Sequence, residues 1–484
     1  MIPPADIATE SATGSASATA LDVTIGIDFG TSSAKMAFRE LGNRNSILIP
    51  APDGRYFWPT QVHLCDGCFY FLAKPEGKSV VTVRWLKMLL AETETGVMDP
   101  TRREMMQLVT KTGCSVECLA TLMIAYLISR AREQVRNYFE GRGYPTLHFT
   151  YNMAAPLETF DPADVEGREH GNSKEDAFLR ALFRAEKLVD FLPLEAGWAF
   201  EDAKETYDLV AERYSEVPPM SERQVFVVPE THAAVTGAVF SNFLADGHYA
   251  VVDIGAGTTD VAVFCHNRHA RKDNRWAVTY FADAVSHEAS TQADACIADV
   301  IKRRMHAEGM EELPWVELRE LARQAKEISN SNGVKFYGKF VLTEEDFQQA
   351  VQELSERLFV HYKRTFLTAI LRKTKTGHQY PFSLLLLGGG SRFGPFRLRL
   401  SQQPDKSYPK LQPTVATISF RDRMRVLLNG TTTPLVGDDD HLFSIAHGLT
   451  VHIVRSPKYW HPSQVDNFDP APVDYSLYMR DDDT

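Results

Sequence analysis

Apolar positions along this chain fall into two kinds of run. Short unbroken stretches, Val225 to Val228 and Phe382 to Leu387 among them, predict buried strands. Longer stretches with apolar residues at every third and fourth position predict helices. This spacing is clearest from Ser115 to Phe139, on Leu119, Leu122, Met123, Tyr126 and Leu127, and Pro145 to Ala155 reads as a further buried strand. Residues Phe160 to Glu222 are highly charged and mostly helical in pattern, and Val217-Pro218-Pro219 closes that segment. An alanine-rich helix follows from His232 to Leu244. Others run from His287 to Asn330 and from Thr343 to Lys373, where Thr343-x-x-Asp346 has the sense of a capping box. Strands and helices that alternate in this way predict an α/β architecture.

One device punctuates the pattern twice. Thr24-Ile-Gly-Ile-Asp28-Phe-Gly30-Thr31-Ser32-Ser33 and Tyr249-Ala-Val-Val-Asp253-Ile-Gly255-Ala256-Gly257-Thr258-Thr259-Asp260 each run an apolar strand into Asp-x-Gly, then into small hydroxyl residues, then out on another apolar strand. Glycine lets the backbone approach an anion closely and turn its amides toward it. Thr31, Ser32, Thr258 and Thr259 add hydroxyl donors. Two such hairpins are suited to hold one polyphosphate between related halves. The aspartates would oppose this, because a carboxylate about 6 Å from a phosphate charge is repelled by roughly 3 kcal/mol at an effective dielectric near 20. A hydrated Mg2+ between them reverses the sign, which makes Asp28 and Asp253 outer-shell anchors for the ion; Asp260 can reinforce it or orient a water. No Gly-x4-Gly-Lys-Ser/Thr is present, and Gly255-x-Gly257 ends in Asp260 where a dinucleotide fingerprint needs a third Gly or Ala.

Composition narrows the field. The chain has 484 residues, 44% of them hydrophobic and 24% charged, which is long enough for several domains of ordinary size. A net charge of -11 argues against a general nucleic-acid or anionic-membrane surface. No apolar run reaches the length of a membrane span, and a cytoplasmic location is expected. The Ala-, Ser- and Thr-rich start reads as a disordered leader over residues 1–21. Six cysteines are too few for a disulfide framework. Cys65 and Cys68 flank the hairpin signal Asp66-Gly67 and are expected to face each other across it, while Cys114 and Cys118 sit at a helix start as small apolar residues. The runs Asp438–Asp440 and Asp481–Asp483 read as solvated loops.

With these residues in place, the chain resembles the actin-like ATPase superfamily and, within it, the nucleotide-binding domain of DnaK-type heat-shock chaperones. Asp28-Phe-Gly30-Thr31-Ser32 looks like the first phosphate loop, and Asp253-Ile-Gly255-Ala256-Gly257-Thr258-Thr259-Asp260 like the second, with Ala256 at its middle glycine. Gly388-Gly389-Gly390-Ser391-Arg392 looks like the adenosine loop. Pro229-Glu230-Thr231 is similar to the chaperones' connecting segment, whose glutamate sits near the catalytic water, and Ala446-His447-Gly448-Leu449 to the second connecting helix.

The resemblance implies two lobes, each a ribonuclease-H-like mixed sheet flanked by helices, with a cleft for ATP or ADP and Mg2+ between them. Lobe I would cover 22–245, with 440–455 returning to it, lobe II 246–439, and 456–484 would form a tail. The implied catalytic set is Asp28, Glu230, Asp253, Thr258, Asp260 and a lysine, either Lys87 or with Arg84 in its place. Nucleotide contacts would come from Gly30, Thr31, Ser32, Lys35, Gly255, Ala256, Gly257, Thr259, Lys326, Gly388, Gly389, Gly390 and Arg392. Lys35 matches the phosphate-contacting lysine of actins better than any chaperone residue. Arg323 stands where chaperones carry an acid, and Glu327 where they carry the base-stacking arginine. The residues after Gly448 leave no room for the chaperones' peptide clamp and lid, so peptide clamping by that route is not expected.

These observations predict a slow ATPase that switches conformation for an unidentified protein partner, as a monomer or a nucleotide-dependent oligomer. A filament-forming actin-like ATPase, a small-molecule kinase of the same fold and a non-hydrolysing nucleotide sensor are the alternatives.

Overall fold

The computed structural model describes residues 20–452 except 73, 76–79, 92–99, 141, 145, 157–173, 192–196, 241–243, 267–277, 329–332, 374–381, 405–412, 417–418, 429 and 436–439. The expected leader (apart from residues 20 and 21) and the expected tail lie outside this range, as does the run Asp481–Asp483.

The fold is mixed α/β and is organised around two sheets built to one plan. The first runs Leu21–Phe29 antiparallel to Ser33–Glu40, which pairs antiparallel with Ser46–Ile49. On the other side of Leu21–Phe29 lie Leu147–Ala155 and then Val225–Pro229, both parallel. In the second sheet, Gly247–Ile254 is antiparallel to Thr259–His266, which is antiparallel to Val278–Ser286, while Phe382–Leu387 and Thr414–Ala416 continue in parallel on the far side. Each repeated sequence hairpin therefore forms the central pair of its sheet. Val23 to Phe29 and Thr259 to His266 are buried at every position, as expected of strands covered on both faces.

The helix expected from Ser115 to Phe139 is found at Val116–Glu140, with its third amide capped by the Ser115 hydroxyl at 3.0 Å. It packs with Lys174–Leu188 into the core of the first sheet. Ser290–Ala307, Trp315–Ile328 and Gln352–Lys373 cover the second sheet. Both bonds of the capping box at Thr343 and Asp346 form. The alanine-rich helix starts two residues earlier than expected, at Glu230–Phe240.

A third core unites the two sheets. Ala37 and Leu48 of the first and Val251, Ala262 and Leu385 of the second meet around Ala233, Ala234 and Ala238 of Glu230–Phe240 and Ala446 and Leu449 of Ser444–Leu449. The two short helices cross through glycines: a Cβ on Gly448 would collide with the Ala233 carbonyl, and one on Gly237 would press on Gly448. Their small residues thus permit backbone contact at the point where both sheets join.

Two expectations are corrected. The expected second lobe includes Met424–Leu428 and Thr431–Pro434, but the first of these pairs in parallel with Ser46–Ile49 and the second folds back on it, so both strands extend the first sheet. Ser46–Ile49 would otherwise leave an open edge, and covering it buries Met424, Val426 and Leu427. Asp440 is not in a solvated loop: it is buried and accepts hydrogen bonds from the Phe420 amide at 2.5 Å and the Ser419 hydroxyl at 2.8 Å.

Cys65 and Cys68 are paired across the hairpin, whose turn residues Asp66 and Gly67 both have positive φ. Among the described residues no group of three or more His, Cys, Asp or Glu side chains is arranged to hold a metal. No single described helix is long and apolar enough to cross a membrane; the bent pair Arg103–Lys111 and Val116–Glu140 passes that test only jointly, and the second member lies in the first core.

Candidate functional site

Both hairpin turns, the Glu230 helix and the Gly388 loop open onto one cavity of 1360 Å³. Because each hairpin is the centre of its sheet, its Asp-x-Gly turn emerges at the strand ends, where α/β sheets place ligands. Asp28 is opposite Lys35 across the first hairpin, and Lys35 Nζ donates to Asp28 Oδ2 at 2.7 Å. Asp253 is opposite Asp260 across the second. The Thr60 hydroxyl ties down the first turn by donating to the carbonyls of Gly30 and Thr31, at 2.9 and 3.0 Å. The second is closed by the Gly255 amide on the Thr258 carbonyl at 2.9 Å. The turns approach each other closely: a Cβ on Gly257 would strike Met88 and crowd the Thr31 hydroxyl.

Asp253 is the electrostatic centre. It is buried, and its Oδ2 has no hydrogen-bond partner among the described residues. Burial, then the charges of Asp260 and Asp28, push its pKa from 3.8 up to about 7, against the opposing pull of Lys35 and Lys87. A carboxyl whose folded pKa is raised stabilises the fold most fully below its ordinary value, and that contribution is lost as pH rises through about 7. The nucleotide-free protein is therefore expected to lose melting temperature between about pH 4 and 7. Asp253→Asn should flatten that slope and melt higher than the parent at pH 8, as differential scanning fluorimetry would report.

Across the cavity Lys87 donates to Glu230 Oε1, and both side chains are buried. Burial holds the Lys87 pKa below the usual lysine range, while Asp28, Asp260 and Asp253 oppose that shift. Arg84, the other residue considered for this role, is exposed. Lys326 reaches the start of Ser290–Ala307, donating to Ser290 O at 2.9 Å and Oγ at 2.5 Å and pairing with Asp294 at 2.6 Å. Arg323 is held by its own helix, bonded to Glu320 at 2.5 and 3.1 Å and to Glu327 at 2.6 Å.

Seventeen of the nineteen residues singled out in the sequence line the cavity: Asp28, Gly30, Thr31, Ser32, Lys35, Lys87, Glu230, Asp253, Gly255, Ala256, Gly257, Thr258, Lys326, Gly388, Gly389, Gly390 and Arg392. Gly388 adopts φ +74, and any Cβ there would run into Asp253 Oδ1. Gly389 instead faces open space, with nothing near its missing side chain. Thr259 and Asp260 are not in the lining. The Thr259 hydroxyl donates to the Glu288 carbonyl at 2.6 Å, and Asp260, opposite Asp253, accepts from the Thr258 hydroxyl at 3.2 Å. Of the pair Thr258 and Thr259, then, only the first faces the cavity.

Sequence reasoning missed Ser290, Thr291 and Asp294, which also line the site. The available signal was Ser290-x-x-x-Asp294, one helical face at the N-terminus of a helix that follows the second hairpin. No family model matches this sequence, and no curated protein matches it.

Proposed function

We propose that this chain is an actin-like ATPase with a cleft of the DnaK-type chaperone kind, which binds ATP with Mg2+ between its two sheets, hydrolyses it slowly and presents the resulting change of shape to a partner protein. One observation carries the reading: two sheets that share a five-strand order bring equivalent aspartates, Asp28 and Asp253, to a single glycine-lined cavity, where the buried Asp253 Oδ2 has no partner among the described residues.

The residues fit a hydrated, hard cation. Asp28 and Asp253 line the cavity and offer carboxylate oxygens, the donors that such a cation takes through its waters. Bound Mg2+ would offset phosphate charge and so permit these acids beside a polyphosphate.

Backbone amides of Thr31, Ser32, Ala256 and Gly257, residues that line the cavity, can donate to phosphate oxygens. The ion pair with Lys87 holds the Glu230 carboxylate at the cavity, where it can accept a proton from an attacking water. Lys87 itself brings a positive charge that is not dispersed by solvent. Helix Glu230–Phe240 starts at the site and ends in the core shared by both sheets, so a change at Glu230 has a direct route into their relative placement.

Phosphate release from ATP and Mg2+, measured with no added acceptor, tests the reaction class. Release in stoichiometric excess over protein supports hydrolysis. Release only when a sugar or acetate is supplied would reassign the chain to the kinases of this fold.

A further inference from the structure

A set of contacts links the second hairpin's turn to Lys87 across the cavity. The Thr291 amide and hydroxyl both donate to the Ala256 carbonyl, at 3.0 and 2.6 Å. Arg319 Nη2 donates to the Thr291 carbonyl at 3.0 Å, and the Arg319 guanidinium carbon lies 5.0 Å from the centroid of the Trp85 ring. Arg319 belongs to Trp315–Ile328, anchored in the second core by Leu318, Ala322 and Ala325, whereas Trp85 packs against the first core. The pair therefore spans the two halves of the molecule.

Trp85 has φ +59, a region that bulky side chains avoid. Such a conformation persists only where the surroundings impose it, and it is concentrated at functional sites. Its carbonyl accepts the Leu89 amide at 3.0 Å, which makes Trp85 the residue that starts helix Leu86–Ala91. Lys87 is the second residue of that helix. The dihedral angles of Trp85 thus set the direction in which Lys87 leaves the backbone toward Glu230.

We infer that Arg319 and Trp85 are positioning residues: Arg319 senses the Ala256 turn through Thr291 and, by holding the Trp85 ring, fixes the Lys87–Glu230 pair. Only the turnover arm of the test rests on the ATPase reading.

The first arm needs no nucleotide. The full chain is treated briefly with acetic anhydride, and labelling of Lys87 relative to the exposed Lys335 is measured by mass spectrometry. Arg319→Met keeps the aliphatic stem and removes the charge over the ring; it is expected to raise relative Lys87 labelling about fivefold, as the buried ammonium becomes accessible. Arg319→Lys, which restores a cation above the ring, should return labelling to near the parent value. Equal Lys87 labelling in the parent and Arg319→Met overturns the inference. So does a rise that Arg319→Lys fails to reverse, since that points to general loosening.

The second arm measures turnover with ATP and Mg2+. Arg319→Met and Trp85→Ala are each expected to lower kcat about tenfold, with KM within about twofold, because misplacement of a catalytic group costs rate before binding. Trp85→Phe, which keeps a ring for Arg319, should retain most of the rate. Unchanged kcat, or a loss entirely in KM, contradicts the relay. Absence of turnover in the parent protein counts against the ATPase reading alone, and the labelling arm then still decides whether Arg319 positions Lys87.

Discussion

Asp253→Asn is expected to lower ATP turnover by at least about a hundredfold, the scale typical of losing a preorganised electrostatic partner, while the protein stays folded. The two outcomes have one cause. Asp253 is buried beside Asp28 and Asp260, and burial together with their charges pushes its pKa up to about 7. The amide keeps the shape and removes that charge, so the nucleotide-free fold gains stability as the site loses its anchor. Lys87→Ala should reduce turnover to a similar extent with the opposite effect on stability. It leaves Glu230 buried without its cation, and breaking such a pair costs about 3–5 kcal/mol. Turnover assays with parallel thermal melts separate these variants. Equal stability changes in both would contradict the assignment of Asp253 as a strained acid and Glu230 as a paired one.

Gly448→Ala is expected to destabilise the protein by roughly 2–3 kcal/mol, the cost of overpacking a tight core, and also to slow turnover. The new Cβ would meet the Ala233 carbonyl, and neither element can yield easily. Gly448 belongs to Ser444–Leu449, and Ala233 lies one turn from Glu230 in Glu230–Phe240. Relief of the collision must push the two helices apart and draw Glu230 away from Lys87. Gly389→Ala, placed where a Cβ meets nothing, is the control and should melt like the parent. Urea unfolding compares the two; matching midpoints would show that the helix crossing is looser than its backbone contact suggests.

Much of this arrangement was legible in the sequence because its signals are local. Each Asp-x-Gly turn sits between apolar runs that pair with one another, so both hairpins and their acids could be read within about a dozen residues. What depended on distant partners could not. Lys87 and Arg84 looked equivalent until burial and Glu230, 143 positions away, distinguished them. Met424–Leu428 reads as a short ambiguous run until the edge of Ser46–Ile49 claims it. Adjacent hydroxyls cannot be told apart by type, yet Thr259 begins the strand and turns to Glu288 while Thr258, still in the turn, faces the cavity. Trp85 at φ +59 runs against its own preference, which propensity could not reveal.

The central claim is that the acids of the two hairpins form one site for ATP with Mg2+, and a thermal-shift titration tests it most directly. At a hundred times the dissociation constant a ligand adds about 2.7 kcal/mol of stability. ATP with excess Mg2+ is expected to raise the melting temperature of the parent, and ATP with a chelator to lose most of that rise, as should Asp253→Asn with ATP and Mg2+. No shift with ATP, or the same shift with and without Mg2+, would contradict the account.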